Sequence, residues 1–169
     1  VQNTLEQALQ VVLRLSQQPT VVVAGRTDTG VHARGQVVHV DINDVSATVL
    51  KPLRRQLNGV LPEDVRVQSV VVAPAGFDAR YSALARRYSY RLVDAPAVDP
   101  LERLSVVLHS KHLEIDRLNQ ASERLLGLHD FSAFSKRTDK GTAIRTLQDF
   151  AWHRDQYGVV VARVKADAF

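Results

Sequence analysis

The chain has 169 residues, of which 45% are hydrophobic, so it is long and apolar enough for one ordinary domain or two small halves. It contains no cysteine, which excludes disulfides and thiolate chemistry and is compatible with a reducing compartment such as the cytoplasm. No apolar run approaches the roughly 20 residues of a membrane span, and the net charge of +4 permits a polyanionic partner.

One helix and two strands are predicted at the start of the chain. Apolar residues at helical spacing indicate a helix over residues 5–15 that packs on a sheet. The β-rich runs at residues 21–24 and 36–42 predict two strands. A loop held between two strands commonly presents reactive groups on a rigid base, so the segment between these runs is the first candidate site.

That loop contains Arg26, Asp28 and Arg34. Because Arg26 and Asp28 are two residues apart, an extended backbone would point both side chains to the same face. A guanidinium beside a carboxylate stabilises the ionised form, and an oriented carboxylate can act as a nucleophile, a base or an electrostatic stabiliser. A purely structural ion pair in a glycine-rich turn is an equal alternative on these residues alone.

Two short motifs agree with parts of the loop. Gly25 and Gly30 have the spacing of a phosphate-binding loop, but Val31 and His32 stand where that loop needs Lys and Ser or Thr, so this interpretation fails. Residues 28–30, Asp-Thr-Gly, match the triplet of aspartic proteases, whose paired carboxylates share one proton. Only one such triplet occurs, so a protease would have to be a homodimer, and the neighbouring cation opposes proton sharing.

A second helix is predicted around Pro52, which suits the first turn of a helix. Leu50, Leu53 and Leu57 would form its buried stripe. A strand is then predicted over residues 65–73, and the Pro-Ala-Gly sequence that follows would end it.

Arginine and tyrosine are interleaved in a second informative stretch, residues 80–91. Arg86, Tyr88 and Tyr90 are two apart, so they would share one face of a strand. Arginine supplies phosphate contacts and tyrosine a stacking face, as recognition of single-stranded RNA requires. The alternative is an edge strand with charged arginines and half-buried tyrosines.

Residues 94–100 hold two prolines and are the best linker candidate. We assign residues 1–75 to an N-terminal half that carries the Asp28 loop, and residues 76–169 to a C-terminal half. The mixed order of helices and strands predicts an α+β fold.

A third helix is predicted between Asp116, as its cap, and Gly127, as its stop. Its inner face would consist of Leu118, Ala121 and Leu125. Phe131 and Phe134 are predicted to anchor the following segment in the core. A hairpin of residues 146–152 and 158–166 is predicted last. The basic segment before this hairpin contains Lys136 and Arg137, for which phosphate contact and a solvated loop are equal alternatives.

The loop sequence Gly-Arg-Thr-Asp-Thr-Gly-Val-His-Ala, residues 25–33, resembles the signature of the TruA family of tRNA pseudouridine synthases. Nine consecutive positions agree, which is far more specific than a triplet. Other segments are similar to that family's motifs, in the family's order and over most of the chain. They are Leu57-Asn58 with Leu61-Pro62, residues 77–83, residues 86–90 and residues 127–134.

The resemblance implies a pseudouridine synthase fold, which is a largely antiparallel mixed sheet built from two similar α/β halves with helices on one side. In that family a further strand precedes the segments matched here, and a further conserved segment with a basic active-site residue follows them. We therefore expect this chain to be truncated at both ends.

The resemblance also implies an activity, which is the isomerisation of uridine to pseudouridine in the anticodon stem-loop of tRNA. The enzyme would be a cytoplasmic homodimer that needs no cofactor and no metal. Asp28 matches the family's catalytic aspartate, Arg26 would hold it and help to flip the base, and Tyr88 matches the active-site tyrosine. The candidate RNA-binding residues are Arg34, Arg80, Arg86, Arg87, Lys136 and Arg137. A non-catalytic RNA-binding module and a dimeric aspartic protease are the alternatives.

Overall fold

The computed structural model describes residues 1–43, 47–134 and 142–168. The chain divides into two compact units, Val1–Ala83 and Leu84–Phe169. Segment 94–100 lies inside the second of them. Within the described ranges the chain forms three α-helices, a two-stranded sheet and a five-stranded sheet, which confirms the α+β class.

The first unit is built from two helices and two short strands. They are α1 (Gln2–Leu13), β1 (Val21–Val23), β2 (Val38–Val40) and α2 (Ala47–Val60). The strands are antiparallel, with Val21 opposite Val40 and Val23 opposite Val38. The buried core consists of Leu5, Ala8, Leu9, Val21, Leu53, Leu57 and Leu61. These positions recur at three- and four-residue intervals on each helix, which is why one face of each helix is buried.

Helix α1 begins three residues earlier than predicted and ends at Leu13. Arg14 follows in the left-handed conformation, with a φ of 54°. On the helix, Glu6 accepts a hydrogen bond of 2.9 Å from the backbone N–H of Val21, which ties α1 to β1. This bond is the main reason that the pKa of Glu6 lies below its ordinary value.

Helix α2 differs from the sequence prediction at its start. It begins at Ala47, so Pro52 lies inside the helix rather than in its first turn. Proline has no backbone N–H, and one hydrogen bond of the helical ladder is therefore lost at this position. Leu53 and Leu57 are buried as predicted, and Leu50 is half-buried.

The strand predicted over residues 65–73 is wrong. No strand is assigned to this segment, which runs beside the end of α2. The side chain of Asn58 donates a hydrogen bond of 2.9 Å to the carbonyl of Val67 and accepts one of 2.7 Å from its N–H. A side-chain amide thus occupies both backbone groups of Val67 that a neighbouring strand would otherwise pair.

The second unit contains a five-stranded sheet and one α-helix. Its elements are β3 (Arg86–Val93), β4 (Val107–Leu108), α3 (Ile115–Glu123), β5 (Gly127–Asp130), β6 (Ile144–Arg154) and β7 (Val160–Ala166), with a short 3-10 turn at Ser132–Phe134. The strand order is β4-β3-β7-β6-β5. Only β3 and β4 are parallel among these pairs, and the other three pairs are antiparallel.

The C-terminal hairpin is confirmed, with β6 longer than predicted at both ends and β7 beginning at Val160 rather than at residue 158. Strands β6 and β7 meet through a turn in which Asp155 Oδ1 accepts hydrogen bonds from the N–H groups of Tyr157 and Val159, both at 2.9 Å. Gly158 has a φ of +83°, which favours glycine over any other residue at this point of the turn.

Helix α3 corrects two residue assignments. Its N-cap is Glu114 rather than Asp116, which lies in the first turn. Ala121 is exposed, and the buried residue of that turn is Ser122, whose Oγ accepts a hydrogen bond of 2.9 Å from Trp152 Nε1. The inner face is therefore partly polar, because it meets the indole of β6 rather than a purely apolar surface.

Phe134 is not a core anchor. Its side chain is 81% exposed, whereas Phe131 is half-buried and lies 6.3 Å from it between ring centroids. The 3-10 turn that contains Phe134 directs it away from the sheet core, which the sequence pattern alone did not indicate. The predicted stop at Gly127 is also corrected, since α3 ends at Glu123 and Gly127 begins β5 with a φ of +98°.

Candidate active site

The candidate catalytic loop joins β1 to β2 and is closed at its base by a glutamine. The N–H of Ala24 donates to the carbonyl of Val37 at 2.9 Å, which continues the strand ladder by one pair. Next to this pair, Gln36 Nε2 donates to the carbonyl of Gly25 at 2.6 Å, and the N–H of Gly25 donates to Gln36 Oε1 at 3.3 Å. A side chain thus extends the pairing where the backbones begin to separate.

The tip of the loop is a turn that starts at Asp28. The N–H of Val31 donates to the carbonyl of Asp28 at 3.1 Å, and Gly30 has a φ of +85°. A non-glycine residue would be strained at that φ, so the glycine of the loop sequence has a conformational role. The side chains of residues 26–37 are exposed, and Asp28 is therefore accessible to a large substrate.

The predicted ion pair between Arg26 and Asp28 is not formed. Neither residue takes part in the salt bridges found across residues 1–43, 47–134 and 142–168. The prediction inferred an ion pair from a shared face alone, and two exposed side chains on one face do not have to meet. An exposed pair of this kind contributes only about 0–1 kcal/mol, which does not fix two long side chains by itself.

Arg34 lies on the same loop, close to its return into β2. Its carbonyl accepts a hydrogen bond of 3.0 Å from Gln68 Nε2, which attaches the loop to the irregular segment that follows α2. Its guanidinium is exposed. Arg80, the fourth candidate in this unit, is also exposed and lies within the turn that begins at Asp78.

The second group of candidates lies on β3, in the other unit. Arg86, Tyr88 and Tyr90 are opposite alternate residues of β7, which confirms that they share one face of the sheet. Tyr88 and Tyr90 are 41% and 50% exposed, so both rings present part of their surface to solvent. Arg87 points to the other face and stands opposite Lys165.

Four of the candidates therefore belong to the first unit, namely Arg26, Asp28, Arg34 and Arg80. Three belong to the second unit, namely Arg86, Arg87 and Tyr88. The last two, Lys136 and Arg137, lie outside the residues that the structure describes.

Sequence reasoning missed two residues that shape the first unit around the loop. One is Gln36, which closes the loop at Gly25. The other is His39 on β2, whose Nδ1 accepts the N–H of Ala79 at 2.9 Å. The sequence signal for each is a polar side chain in a β-rich run, and many surface strands share it.

Comparison with known proteins supports the sequence resemblance. The sequence model of a family described as "tRNA pseudouridine synthase" matches residues 121–169. A protein of Streptomyces griseus named tRNA pseudouridine synthase A is 51% identical over 172 residues, with all of this chain and 61% of the relative covered. The chain belongs to the tRNA pseudouridine synthase A family.

Further relatives of this family cover the chain equally well. The protein of that name from Cutibacterium acnes is 51% identical over 172 residues, which span the whole chain and 61% of the relative. The one from Leifsonia xyli is 45% identical over 186 residues, spanning the whole chain and 65% of the relative. The chain thus spans about three fifths of the length of the curated relatives that it matches.

Membership of the tRNA pseudouridine synthase A family accounts for the complete loop sequence and leaves no support for the protease alternative, which explained three of its residues. In the part of the chain that the structure describes, no group of three or more His, Asp or Glu side chains is arranged to hold a metal ion. None of the described helices is long and apolar enough to cross a membrane.

Proposed function

We propose that this chain acts as a tRNA pseudouridine synthase that isomerises uridine in the anticodon stem-loop of tRNA. The observation that carries the proposal is the loop of residues 25–33, which presents Asp28 on a turn at the end of a closed strand pair. The names of relatives that are similar along the whole chain support the same activity.

The reaction breaks the bond between ribose C1′ and uracil N1, turns the uracil, and rejoins it to C1′ through C5. A proton leaves C5 and another is gained at N1, so the reaction needs no oxidant and no energy input. Asp28 either attacks the sugar or removes a sugar proton, and both routes require a carboxylate that an RNA strand can approach. Its exposed position on the loop supports this role.

Arg26 is proposed to help flip the target base, which costs a few kcal/mol of lost stacking and pairing. Its side chain is exposed and makes no salt bridge with Asp28. On binding RNA, it would hold Asp28 and occupy the space that the base leaves.

Tyr88 is proposed to stack on the uracil and to take the proton from C5. It is held on β3, where both neighbouring residues of the strand pair with β7, so its position depends on the sheet rather than on a loop. A rigid strand gives better positioning of a reacting group than a loop does.

Six basic residues are proposed to contact the phosphates of tRNA. They are Arg34, Arg80, Arg86, Arg87, Lys136 and Arg137. Guanidinium groups suit this role because they bind phosphate oxygens through two parallel hydrogen bonds. We further propose that the protein acts in the cytoplasm and that it is a homodimer. Sedimentation of the purified protein tests the oligomeric state directly.

The test of the proposed reaction is release of tritium from tRNA labelled at uracil C5. We expect release by the wild-type chain, or by a chain extended beyond Phe169, and none by Asp28→Asn, while tRNA binding persists. Asp64→Asn, an exposed carboxylate of the same unit, is the matched control and should react like wild type. Turnover by Asp28→Asn at the wild-type rate would contradict the role of Asp28, and tight binding without turnover would favour a binding module.

A further inference from the structure

The turn after Phe77 is held by several local hydrogen bonds. Asp78 Oδ1 accepts from the N–H of Arg80 at 2.7 Å and from that of Tyr81 at 2.9 Å. Ser82 Oγ accepts from the N–H of Asp78 at 3.0 Å, and the N–H of Ser82 donates to the carbonyl of Asp78 at 2.8 Å. The backbone that carries Arg80 and Tyr81 is therefore fixed before any partner binds.

The same turn is attached to the strand that follows the Asp28 loop. The N–H of Ala79, a buried residue, donates to Nδ1 of His39 on β2. The His39 ring also meets Phe77 edge to face, with 6.1 Å between ring centroids. Strand β2 thus connects the candidate catalytic loop with the turn at Asp78, and both belong to the first unit.

Tyr81 is presented to solvent by this turn, although its ring is large and partly apolar. Its side chain is 78% exposed. The guanidinium carbon of Arg80 lies over the ring, 5.4 Å from its centroid, at the distance of a cation–π contact. With that much of the side chain exposed, one face of the ring is available to a second planar group.

We propose that Tyr81, with Arg80 behind it, is a stacking platform for an unpaired nucleobase of the RNA substrate. Aromatic rings at such positions bind bases through their faces without reading sequence, and a neighbouring arginine adds a contact to the adjacent phosphate. Because the backbone of the turn is already ordered, little further conformational entropy is lost when a base stacks on the ring. The proposal rests on the proposed function in one respect, namely that the partner is RNA.

The test compares two probes, octauridylate and an octamer of abasic ribose phosphates, titrated against the full chain. Tyr81→Ala should weaken binding of octauridylate about tenfold and leave binding of the abasic octamer unchanged, because only the first probe has bases to stack. Tyr81→Phe keeps the ring and should bind both probes like wild type. Arg80→Ala should weaken both probes.

Tyr157→Ala is the matched control, since Tyr157 is also highly exposed, at 81%, and belongs to the β6–β7 turn. It should bind both probes like wild type. Because Tyr81 is exposed, its substitutions remove no core contacts. Unfolding therefore does not explain a loss of binding in these variants. The proposal would be overturned if Tyr81→Ala affected both probes equally or affected neither. It would also be overturned if the wild-type chain bound the two probes with the same affinity.

These outcomes are separate from those of the tritium assay. Base-dependent binding through Tyr81 without turnover would retain the platform and reject the isomerase. Turnover that depends on Asp28, together with probe binding that ignores Tyr81, would retain the isomerase and reject the platform.

Discussion

At the scale of single residues, one hydrogen-bonding arrangement occurs at three places among the residues that the structure describes. A side-chain amide accepts a hydrogen bond from the backbone N–H of one residue and donates to the carbonyl of that same residue. The three pairs are Gln36 with Gly25, Asn58 with Val67, and Asn119 with Trp152. Each amide stands beside a chain segment where no neighbouring strand supplies these bonds, so both backbone groups remain satisfied.

The pair between Asn119 and Trp152 leads to a stability prediction. Asn119→Leu should lower the free energy of unfolding by about 2 kcal/mol, because two backbone groups of β6 lose their partners. The fluorescence of Trp152, the single tryptophan, follows this change during urea unfolding. Gln120→Ala, on the exposed side of α3, is the control and should change stability by less than about 0.5 kcal/mol.

A second residue-scale prediction concerns Asp94, whose side chain is only 5% exposed. Arg154 donates to both of its carboxylate oxygens, at 2.6 and 2.8 Å, and the N–H of Leu113 donates to Oδ2 at 2.8 Å. The hydrogen bonds from Arg154 are the main reason that the pKa of Asp94 lies well below its usual range. The ionised carboxylate is thus more favourable in the folded than in the unfolded chain.

The sign of the pH dependence follows from that lowered pKa. The stabilisation is fully present above the unfolded pKa of about 3.9 and is lost as the pH falls below it towards the folded value. Asp94→Asn should therefore cost about 2 kcal/mol at pH 7, and its difference from wild type should shrink below about pH 4. Urea unfolding at several pH values measures this, with the exposed Glu123→Gln as control. A difference that stays constant down to pH 2.5 would argue against the pair as its source.

At the scale of elements, the loop of residues 25–33 depends on Gln36. Gln36→Ala should open the base of the loop, because the N–H of Gly25 then has no side-chain partner. We expect amide exchange at Gly25 to accelerate about tenfold, which corresponds to about 1.4 kcal/mol of local opening. Hydrogen exchange followed by NMR measures this without any assay of turnover.

Gln68→Ala provides the comparison for the Gln36 variant. It removes a hydrogen bond to the carbonyl of Arg34 on the same loop but leaves Gly25 paired. Exchange at Gly25 should therefore remain at the wild-type rate. Equal acceleration in both variants would mean that the loop opens as a whole and that Gln36 has no special part in closing it.

Periodicity identified most helices and strands but not the partners that decide their ends. Residues 65–73 have a β-rich composition, yet their backbone meets the side chain of Asn58 instead of a strand. In the same way, nothing in the pattern separated Asp116 from Glu114 as the start of α3. The first outcome depends on a side-chain contact that spans nine residues, which local propensity does not contain. The second is a difference of two residues at a helix end, where helix boundaries are least well determined by the sequence pattern.

At the scale of the whole molecule, the sequence predicted the family better than it predicted the geometry of the loop. The nine residues of the loop pointed to the family, since so long a match has few explanations. The side-chain arrangement within that loop was not predictable, because Arg26 and Asp28 are exposed and the turn at Gly30 redirects the backbone between them and β2. The positions of exposed side chains in a complex depend on contacts with the partner. The sequence of the loop alone shows only which side chains can make such contacts.

The distribution of charge leads to the last prediction, which concerns RNA binding by both units. Arg80 belongs to the first unit and Arg86 to the second. A protein that neutralises phosphates releases condensed counterions when it binds RNA. For each phosphate contact, the binding constant therefore falls about tenfold when the salt concentration rises tenfold. Arg80→Ala and Arg86→Ala should each weaken tRNA binding and reduce that slope by about one.

Titration of tRNA binding at several salt concentrations measures the slope directly. Arg117→Ala, an exposed arginine of α3 outside the proposed contacts, should retain the wild-type slope. If only one of Arg80 and Arg86 changes the slope, phosphate contacts are limited to the unit that carries it. If both changes weaken binding at an unchanged slope, the two arginines stabilise the protein structure rather than contact phosphate. The RNA backbone is then bound elsewhere.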